Sequence, residues 1–285
     1  MPILSSAVGS EIGPYEKELT TRHVLAYAAG LGETASIYFD DARAGGIVSH
    51  PMIVMPLEWP VSRDLRELPT FGANAAERRR VVHAEQDTEL FAPIRPETRV
   101  ICKGRLVAAK RIKPGTMTIS RLTLESNDGT PLSTSYSTAI YRGVELQGDD
   151  NIEDQPPDWP EQSIKGHSTE TVVQIPRELP HIYTECTNLW NPIHTERKVA
   201  LAAGLPDIIL HGTCTLAIAL KELIAARQSC GSTKLKRFTG RFSSMVIPGS
   251  SIRVRHTTMS EGSEFEVVTV DGKLAISRGR AIFGN

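Results

Sequence analysis

The chain has 285 residues, of which 32 are Lys or Arg and 33 are Asp or Glu, giving a formal net charge of −1. This length can bury one large hydrophobic core or two ordinary ones, and the balanced charge argues against a nucleic-acid-binding surface. No stretch is apolar for long enough to cross a bilayer, and the N-terminus lacks a basic start followed by an apolar block. We therefore expect a cytoplasmic protein without a membrane partner.

The cysteines show no spacing that is typical of a metal or redox site. They lie far apart and form no CxxC pair, so zinc and redox motifs are unsupported, and no other motif indicates a cofactor. In a reducing compartment such cysteines stay free thiols. The four are Cys102, Cys186, Cys214 and Cys230.

The first half opens with a lead-in and two helical patterns. Residues 1–14 contain Gly and Pro and predict an extended arm. Thr20–Gly30 has the pattern of an N-capped helix closed by glycine. An apolar stretch over Met52–Leu57 predicts the first buried helix, which two prolines make irregular.

From Val81 the apolar residues recur with a period of two, and β-branched residues become frequent, which is typical of strands. Asn127-Asp128-Gly129 is a hairpin turn signal between the last two of these strands. The strand candidates are His83–Phe91, Thr98–Lys110, Thr116–Glu125 and Leu132–Arg142.

Residues 146–170 are polar and rich in proline, and we interpret them as a linker. The same order of elements then returns, with a polar turn over 183–196, a short helix near 195–203 and an apolar helix over Thr213–Arg227. A second set of strand candidates follows at Lys236–Met245, Ser251–Thr258, Phe265–Val270 and Leu274–Phe283.

The second half mirrors the first in detail. His50-Pro51-Met52 corresponds to His211-Gly212-Thr213, and Asp128-Gly129 corresponds to Asp271-Gly272. We therefore interpret the chain as a duplicated α+β unit in which a long helix lies against a curved antiparallel sheet. The predicted copies are 1–145 and 171–285, and their open sheet edges allow a homodimer.

The stretch from Asn191 to Thr213 carries the chemistry that the sequence indicates. A helix that begins at Gly212 offers unpaired backbone N–H groups and the positive end of a helix dipole, which suit a carbonyl oxygen gaining negative charge. The neutral imidazole of His194 can accept a proton. Together they predict acid–base chemistry beside a polarised carbonyl.

Several segments carry a family resemblance. In the second half they are Tyr183, Asn188-Leu189-Trp190-Asn191-Pro192-Ile193-His194, Ala203-Gly204-Leu205-Pro206 and Ile209-Leu210-His211-Gly212. This half resembles the MaoC-like dehydratases, the (R)-specific enoyl-CoA hydratase branch of the hot-dog proteins. The first half resembles the degenerate N-terminal hot-dog of double hot-dog hydratases, through Tyr38-Phe39-Asp40 and the strand His83–Phe91 with Pro93-Ile94-Arg95-Pro96.

The resemblance implies a double hot-dog fold and a thioester substrate whose carbonyl lies at the N-terminus of the long helix. Gly212 N–H would be an oxyanion donor, His194 the acid and base, and Asn191 a further catalytic candidate. Because Tyr38 falls where His194 falls in the other half, one catalytic site is predicted. The substrate-binding candidates are Tyr183, Leu189, His211 and Thr213.

One position departs from the family pattern. The Asp that precedes the motif's Asn by two residues is Leu189 here, and leucine can neither accept a proton nor bind a water. Loss of such a group commonly lowers the rate by about two to four orders of magnitude. Asn191 itself has two interpretations, because it can position a water or hold the histidine loop as an Asx turn.

Three functions are compatible with these residues. The first is a hydro-lyase, acting on a β-hydroxyacyl or α,β-unsaturated acyl group that is carried by CoA or a carrier protein or is a free acid. A variant of it is an isomerase or dehydratase of a free small carbonyl compound that uses His194 alone. The second is a binding protein without turnover. The third is a thioesterase, for which the apolar helix offers no carboxylate before Glu222.

Overall fold

The computed structural model describes residues 1–161, 163–228 and 234–284. Its helices are α1 (Thr21–Gly30), α2 (Ser36–Phe39), α3 (Val54–Leu65), α4 (Ala75–Arg78), α5 (Leu179–Thr187), α6 (Arg197–Ala202) and α7 (Gly212–Gln228). Its strands are β1 (Ile3–Leu4), β2 (Glu11–Leu19), β3 (Val81–Leu90), β4 (Thr98–Ile112), β5 (Gly115–Ser126), β6 (Pro131–Arg142), β7 (Leu146–Gln147), β8 (Asn151–Ile152), β9 (Ile164–Gln174), β10 (Lys234–Phe242), β11 (Ser251–Met259), β12 (Gly262–Thr269) and β13 (Leu274–Gly284).

The chain divides into two compact units that alternate along the sequence. The first unit is Met1–Glu18, Leu57–Ala92 and Arg99–Pro160, and the second is Leu19–Pro56, Pro93–Thr98 and Glu161–Asn285. These units describe packing, whereas the ranges 1–145 and 171–285 describe the repeat in the sequence and stay a prediction.

In the first unit, the strands lie in the order β2, β4, β5, β6 and β3, and the pairs β4–β5, β5–β6 and β3–β6 are antiparallel. Helix α3 contributes the buried side chains of Val61 and Leu65. Leu65 packs in a buried cluster with Phe71, Leu106 and Tyr141. Apolar contact between helix and sheet therefore stabilises this unit.

In the second unit, the antiparallel strands lie in the order β10, β13, β12, β11 and β9, and α7 contacts four of them. Several apolar side chains along α7 are completely buried; among them are Leu216, Ala217, Leu220 and Leu223. The predicted architecture, a long helix against an antiparallel sheet, is confirmed.

Most predicted elements are found close to their expected bounds. Helix α1 begins as predicted, because the Thr20 side chain accepts a hydrogen bond from the backbone N–H of His23. The predicted helix over Met52–Leu57 is longer in the structure, since α3 continues to Leu65 with Pro60 inside it. Pro56 lies in the first turn, where its missing N–H has no intrahelical partner to lose.

The polar turn predicted over 183–196 is wrong for its first part, because α5 continues to Thr187. Its buried residues, Pro180, Tyr183, Thr184 and Thr187, follow helical spacing. Two of the four are threonines, so the buried face of α5 does not show as an apolar periodicity in the sequence. The prediction of a turn was wrong because threonines can be buried in a helix when their hydroxyl groups form hydrogen bonds.

Five strands were missed, the two-residue strands β1, β7 and β8 and the longer strands β2 and β9. Residues 1–14 are not simply an extended arm, because β2 occupies Glu11–Leu19, and β9 begins inside the predicted linker 146–170. Strands β2 and β9 each lie at an end of the strand order in their unit. Such strands keep one side open to water and are often polar, so they lack the hydrophobic alternation that identifies a central strand.

Cys102, Cys186 and Cys214 are free thiols as predicted, and Cys230 lies outside the described residues. Within residues 1–161, 163–228 and 234–284, no helix combines the length and the hydrophobicity that a membrane span requires.

The first unit buries a carboxyl group. Glu58 is 1% exposed, and its Oε1 accepts a hydrogen bond of 2.6 Å from the Ser135 hydroxyl, which lies 2.8 Å from the Thr88 hydroxyl. Within the described part of the chain, Glu58 Oε2 has no hydrogen-bond partner. Burial raises the pKa of Glu58 to about 8, and hydrogen bonds from Ser135 and Gln86 act in the opposite direction.

We expect this carboxyl to make the first unit less stable as the pH rises. The pKa is near 4.5 in the unfolded chain and about 8 in the folded one, so the stabilisation is complete below pH 4.5 and is lost as pH rises to 8. The loss is about 5 kcal/mol at most. Glu58→Gln should abolish it, as measured by hydrogen exchange of α3 and β6 at pH 5 and pH 8. The exposed Glu89→Gln is the control, and an unchanged pH dependence in Glu58→Gln would contradict the expectation.

Candidate active site

The local structure repeats between the two halves of the second unit, with an offset of 156 residues up to Tyr38 and His194 and of 161 residues at Val48 and Ile209. Helix α1 is followed by Gly32 with a φ of +63°, and α5 is followed by Asn188 with a φ of +58°. The backbone N–H of Val48 donates to the Ile37 carbonyl at 3.1 Å. The corresponding bond joins the Ile209 N–H and the Ile193 carbonyl at 3.4 Å. This register aligns Tyr38 with His194, as the sequence predicted.

Asn191 shapes the loop that carries His194. Its side chain accepts a hydrogen bond from the Ile193 N–H at 3.5 Å, and a 3-10 turn over Pro192–His194 follows. Proline at the first position of this turn has no N–H to leave unpaired. Of the two interpretations of Asn191, this contact is the one expected of an Asx turn, which favours a structural role.

His194 is oriented by one backbone hydrogen bond. Its Nδ1 lies 2.8 Å from the Ile209 carbonyl oxygen. Because a carbonyl oxygen can only accept, Nδ1 carries the proton and Nε2 holds the free lone pair. The residue is partly exposed, so Nε2 is the atom that can exchange a proton with a bound molecule.

The ring of His211 stacks on that of His194, with ring centroids 3.7 Å apart and planes 25° from parallel. His211 Nε2 donates to the Leu189 carbonyl at 3.1 Å and lies 3.2 Å from the Thr184 hydroxyl. Its buried Nδ1 has no partner within the described residues. His211 thus supports the catalytic candidate and joins it to the first residue of α7.

Both imidazoles stay neutral near pH 7. Burial lowers the pKa of His194 to about 4, while the bond to the Ile209 carbonyl acts in the opposite direction. Burial also lowers the pKa of His211 to about 3, and the neighbouring charge of a protonated His194 lowers it further. None of these influences comes from a carboxylate, which agrees with the buried Leu189 at the family's Asp position.

Helix α7 begins at Gly212 directly beside this pair. The Gly212 N–H donates no hydrogen bond within the part of the chain that the structure describes, and the residue is partly exposed. A Cβ at this position would lie 2.8 Å from Phe242 Cδ1, so glycine lets the helix start close to that ring. The 17-residue helix directs its positive dipole end here.

A chain of hydroxyl groups ends at the same place. The Tyr27 hydroxyl lies 3.5 Å from the Tyr183 hydroxyl, which donates to Thr213 Oγ1 at 3.3 Å. Burial raises the pKa of both phenols, so both keep their protons. Since Thr213 accepts from Tyr183, its own proton remains free for a ligand at the start of α7.

The structure thus brings together His194, His211, Gly212, Thr213 and Tyr183. The Leu189 carbonyl contacts this group through its hydrogen bond with His211. Asn191 is not part of this group and lies on the loop that carries His194. Two contributors were missed by sequence reasoning, Tyr27 and Thr184. The offset that aligns Tyr27 with Tyr183 could have indicated the first, whereas no pattern in the sequence indicates the second.

Two family models match the chain. Residues 160–278 match the MaoC like domain, and residues 6–134 match the dehydratase domain region of FAS1-like proteins. Among curated proteins, the chain is 26% identical to "Enoyl-CoA hydratase ChsH3" from Mycobacterium tuberculosis, covering 89% of each chain. It is 24% identical to "3-hydroxyacyl-thioester dehydratase Y" from the same organism, covering 98% of this chain and 100% of that protein.

Solved structures share the fold. A MaoC-like dehydratase from Phytophthora capsici has a TM-score of 0.82 and 19% identity, with 99% of this chain and 97% of that chain covered. A Mycobacterium tuberculosis protein described as a double hot-dog has a TM-score of 0.65 and 11% identity, with 97% and 95% covered. The double hot-dog fold predicted from the sequence is therefore confirmed.

Proposed function

We propose that this double hot-dog protein, which carries a MaoC-like dehydratase domain, is a hydro-lyase that adds water to an enoyl thioester or removes it from a 3-hydroxyacyl thioester. One observation carries the proposal. The free Nε2 of His194 belongs to a ring stacked at 3.7 Å on that of His211, and the next residue, Gly212, starts α7 with an unused N–H. A base and an oxyanion donor thus share one small region.

The start of α7 is suited to a thioester carbonyl. An oxygen that gains negative charge would accept from the Gly212 N–H and from the Thr213 hydroxyl, whose orientation the Tyr183 hydrogen bond fixes. Polarising this carbonyl makes the neighbouring α-carbon more acidic. The same donors stabilise the enolate-like charge that forms when the α-proton leaves.

His194 can perform both proton transfers. In the elimination direction, Nε2 takes the α-proton, the electron pair forms the double bond, and the β-carbon–oxygen bond breaks as the protonated imidazole gives its proton to the departing hydroxyl. Water leaves and neutral His194 is restored. Hydration is the reverse, with His194 removing a proton from the attacking water.

The relatives support the substrate class. Their names refer to enoyl-CoA and to 3-hydroxyacyl thioesters, which are the two sides of one reaction. We therefore propose an acyl thioester carried by CoA as the substrate, with His194 and Gly212 as catalytic residues. Tyr183, His211 and Thr213 are the supporting and substrate-binding residues.

A second candidate is a binding protein that takes the same ligands without turnover. It is favoured by Leu189, whose side chain is 6% exposed and cannot hold a water. Hydration of crotonyl-CoA, followed by the loss of enoyl absorbance, separates the two. Turnover supports the hydro-lyase, whereas saturable binding of crotonyl-CoA without turnover supports the binding protein.

The pH dependence of turnover should report the lowered pKa of His194. Because the neutral imidazole is the active form and its pKa is about 4, kcat/KM for crotonyl-CoA should be constant from pH 8 down to about pH 5.5. It should then fall, reaching half its maximum near pH 4. Circular dichroism at each pH checks that the protein stays folded. A half-maximum near pH 6.5 would show that His194 is not held as described.

A further inference from the structure

The hydroxyl chain that ends at Thr213 begins in the other half of the second unit. Tyr27 lies on α1, whereas Tyr183 and Thr213 lie on α5 and α7. Both tyrosine side chains are completely buried. Their ring centroids are 6.2 Å apart and the ring planes are inclined by 64°, which is a favoured edge-to-face arrangement. Packing therefore holds the two phenol groups in a defined orientation.

A glycine allows α1 and α5 to approach closely at this point. A Cβ at Gly30 would lie 2.8 Å from Cys186 Cβ, which is closer than Cβ atoms come to other atoms in proteins. Gly30 follows Tyr27 by three residues, as Cys186 follows Tyr183, so each pair lies on one face of its helix. The close contact at Gly30 thus brings the Tyr27 hydroxyl to Tyr183.

The hydrogen bonds of this chain run in one direction. Tyr183 donates its single hydroxyl proton to Thr213 Oγ1 at 3.3 Å. In the contact of 3.5 Å between the two phenols, Tyr27 must therefore be the donor. Thr213 and the neighbouring Gly212 are both partly exposed, so the Thr213 proton at the end of the chain is accessible to a ligand.

The half that contains Tyr27 has no equivalent use for this proton. With the offset of 161 residues, the position that corresponds to Thr213 is occupied by Met52. A thioether sulfur is only a weak acceptor and has no proton to donate. The hydroxyl that could polarise a carbonyl is therefore present in the second half alone, and Tyr27 contributes to that half.

Both contacts are longer than the roughly 2.7 Å that is typical of a hydrogen bond between hydroxyl groups. A ligand oxygen that gains negative charge attracts the Thr213 proton more strongly. Thr213 Oγ1 then becomes a better acceptor for Tyr183, and Tyr183 becomes a better acceptor for Tyr27. Hydrogen bonds that strengthen as charge develops stabilise the transition state more than the bound substrate.

We propose that Tyr27 is a positioning residue of the hydro-lyase site, which acts through Tyr183 to strengthen the Thr213 hydroxyl as a donor to the thioester oxygen. The inference rests on the proposed function, because it assigns a part in the same polarisation of the carbonyl. Since the effect grows with the charge on the ligand, removing the Tyr27 hydroxyl should lower kcat and leave KM nearly unchanged.

A double-mutant cycle tests this assignment. Tyr27→Phe removes one oxygen atom and should lower kcat for crotonyl-CoA hydration about fivefold, with KM changed less than twofold. Thr213→Val should lower kcat about a hundredfold, since it removes the donor itself. In the Thr213→Val background, Tyr27→Phe should have no further effect, because the chain no longer reaches the ligand. An undiminished effect there, or an unchanged kcat in Tyr27→Phe alone, would overturn the proposal.

Tyr38→Phe is the matched control. It removes the hydroxyl of another buried tyrosine of the same unit, which has no place in the chain of hydroxyl groups. This variant should keep the wild-type kcat, and circular dichroism compares the thermal transitions of all variants. A loss of kcat in Tyr38→Phe equal to that in Tyr27→Phe would show a general effect of packing and would overturn the proposal.

Infrared spectroscopy of bound crotonyl-CoA, isotope-labelled at the carbonyl carbon, measures the polarisation without turnover. In the His194→Ala chain, the carbonyl stretch should lie at a lower frequency than in solution, and adding Tyr27→Phe should reverse part of this shift. The same frequency with and without the Tyr27 hydroxyl would overturn the proposal. Failure of the proposed function would instead appear as absent crotonyl-CoA turnover in the unmodified chain, and the infrared measurement would still decide the role of Tyr27.

Discussion

Replacing His194 by alanine should lower kcat for crotonyl-CoA hydration by about three orders of magnitude, since it removes the group that transfers both protons. The KM should change less than threefold, because the carbonyl-binding donors at Gly212 and Thr213 remain in place. The loss of the ring also leaves His211 without its stacking partner. A steady-state assay of wild type and variant measures both constants.

His181→Ala is the matched control. This histidine lies on α5 close to the same loop, where its exposed Nε2 is 3.1 Å from the Thr195 carbonyl oxygen, and it has no place in the proposed chemistry. It should keep at least half of the wild-type kcat. If His194→Ala loses no more activity than His181→Ala, the imidazole does not carry the proton transfers.

Leu189→Asp should raise the hydration rate by about ten- to a hundredfold. The backbone carbonyl of Leu189 already bonds to His211, which stacks on His194. A carboxylate introduced at this position would be close enough to hold and deprotonate a water. It should also raise the pKa of His194 through its negative charge and move the acid limb of the rate profile to higher pH.

Leu189→Asn is the control for Leu189→Asp. Asparagine has nearly the same volume as aspartate, but it carries no charge and cannot take up a proton. It should show no gain and no shift of the pH profile. Both variants should be less stable than wild type by about 1–3 kcal/mol, since the buried leucine is replaced by a polar group. If Leu189→Asn hydrates faster than wild type, or if Leu189→Asp shows no gain in rate, the missing carboxylate does not limit the rate.

Much of the fold follows from local pattern. The β-branched runs and the Asp-Gly turns predict the central strands, and the turns have the expected left-handed glycines, with φ values of +84° at Gly129 and +81° at Gly272. Strands β2 and β9 are not predicted from the sequence, because each lies at an end of the strand order and is polar. Helix α5 is not predicted either, because threonines occupy half of its buried positions.

The site was predictable only in part. His194 and Gly212 stand in a recognisable motif, so their proximity could be expected from the resemblance. The stacking of His211, the contact with Thr184 and the hydroxyl chain from Tyr27 depend on how α1 and α5 pack, which no short-range pattern encodes.

A crystal structure of the protein with bound 3-hydroxybutyryl-CoA tests the central claim most directly. We expect the thioester oxygen at about 2.7–3.2 Å from the Gly212 nitrogen, and the β-hydroxyl oxygen within the same range of His194 Nε2. A thioester group bound away from the start of α7, or a His194 Nε2 that faces only protein atoms, would contradict the proposed chemistry.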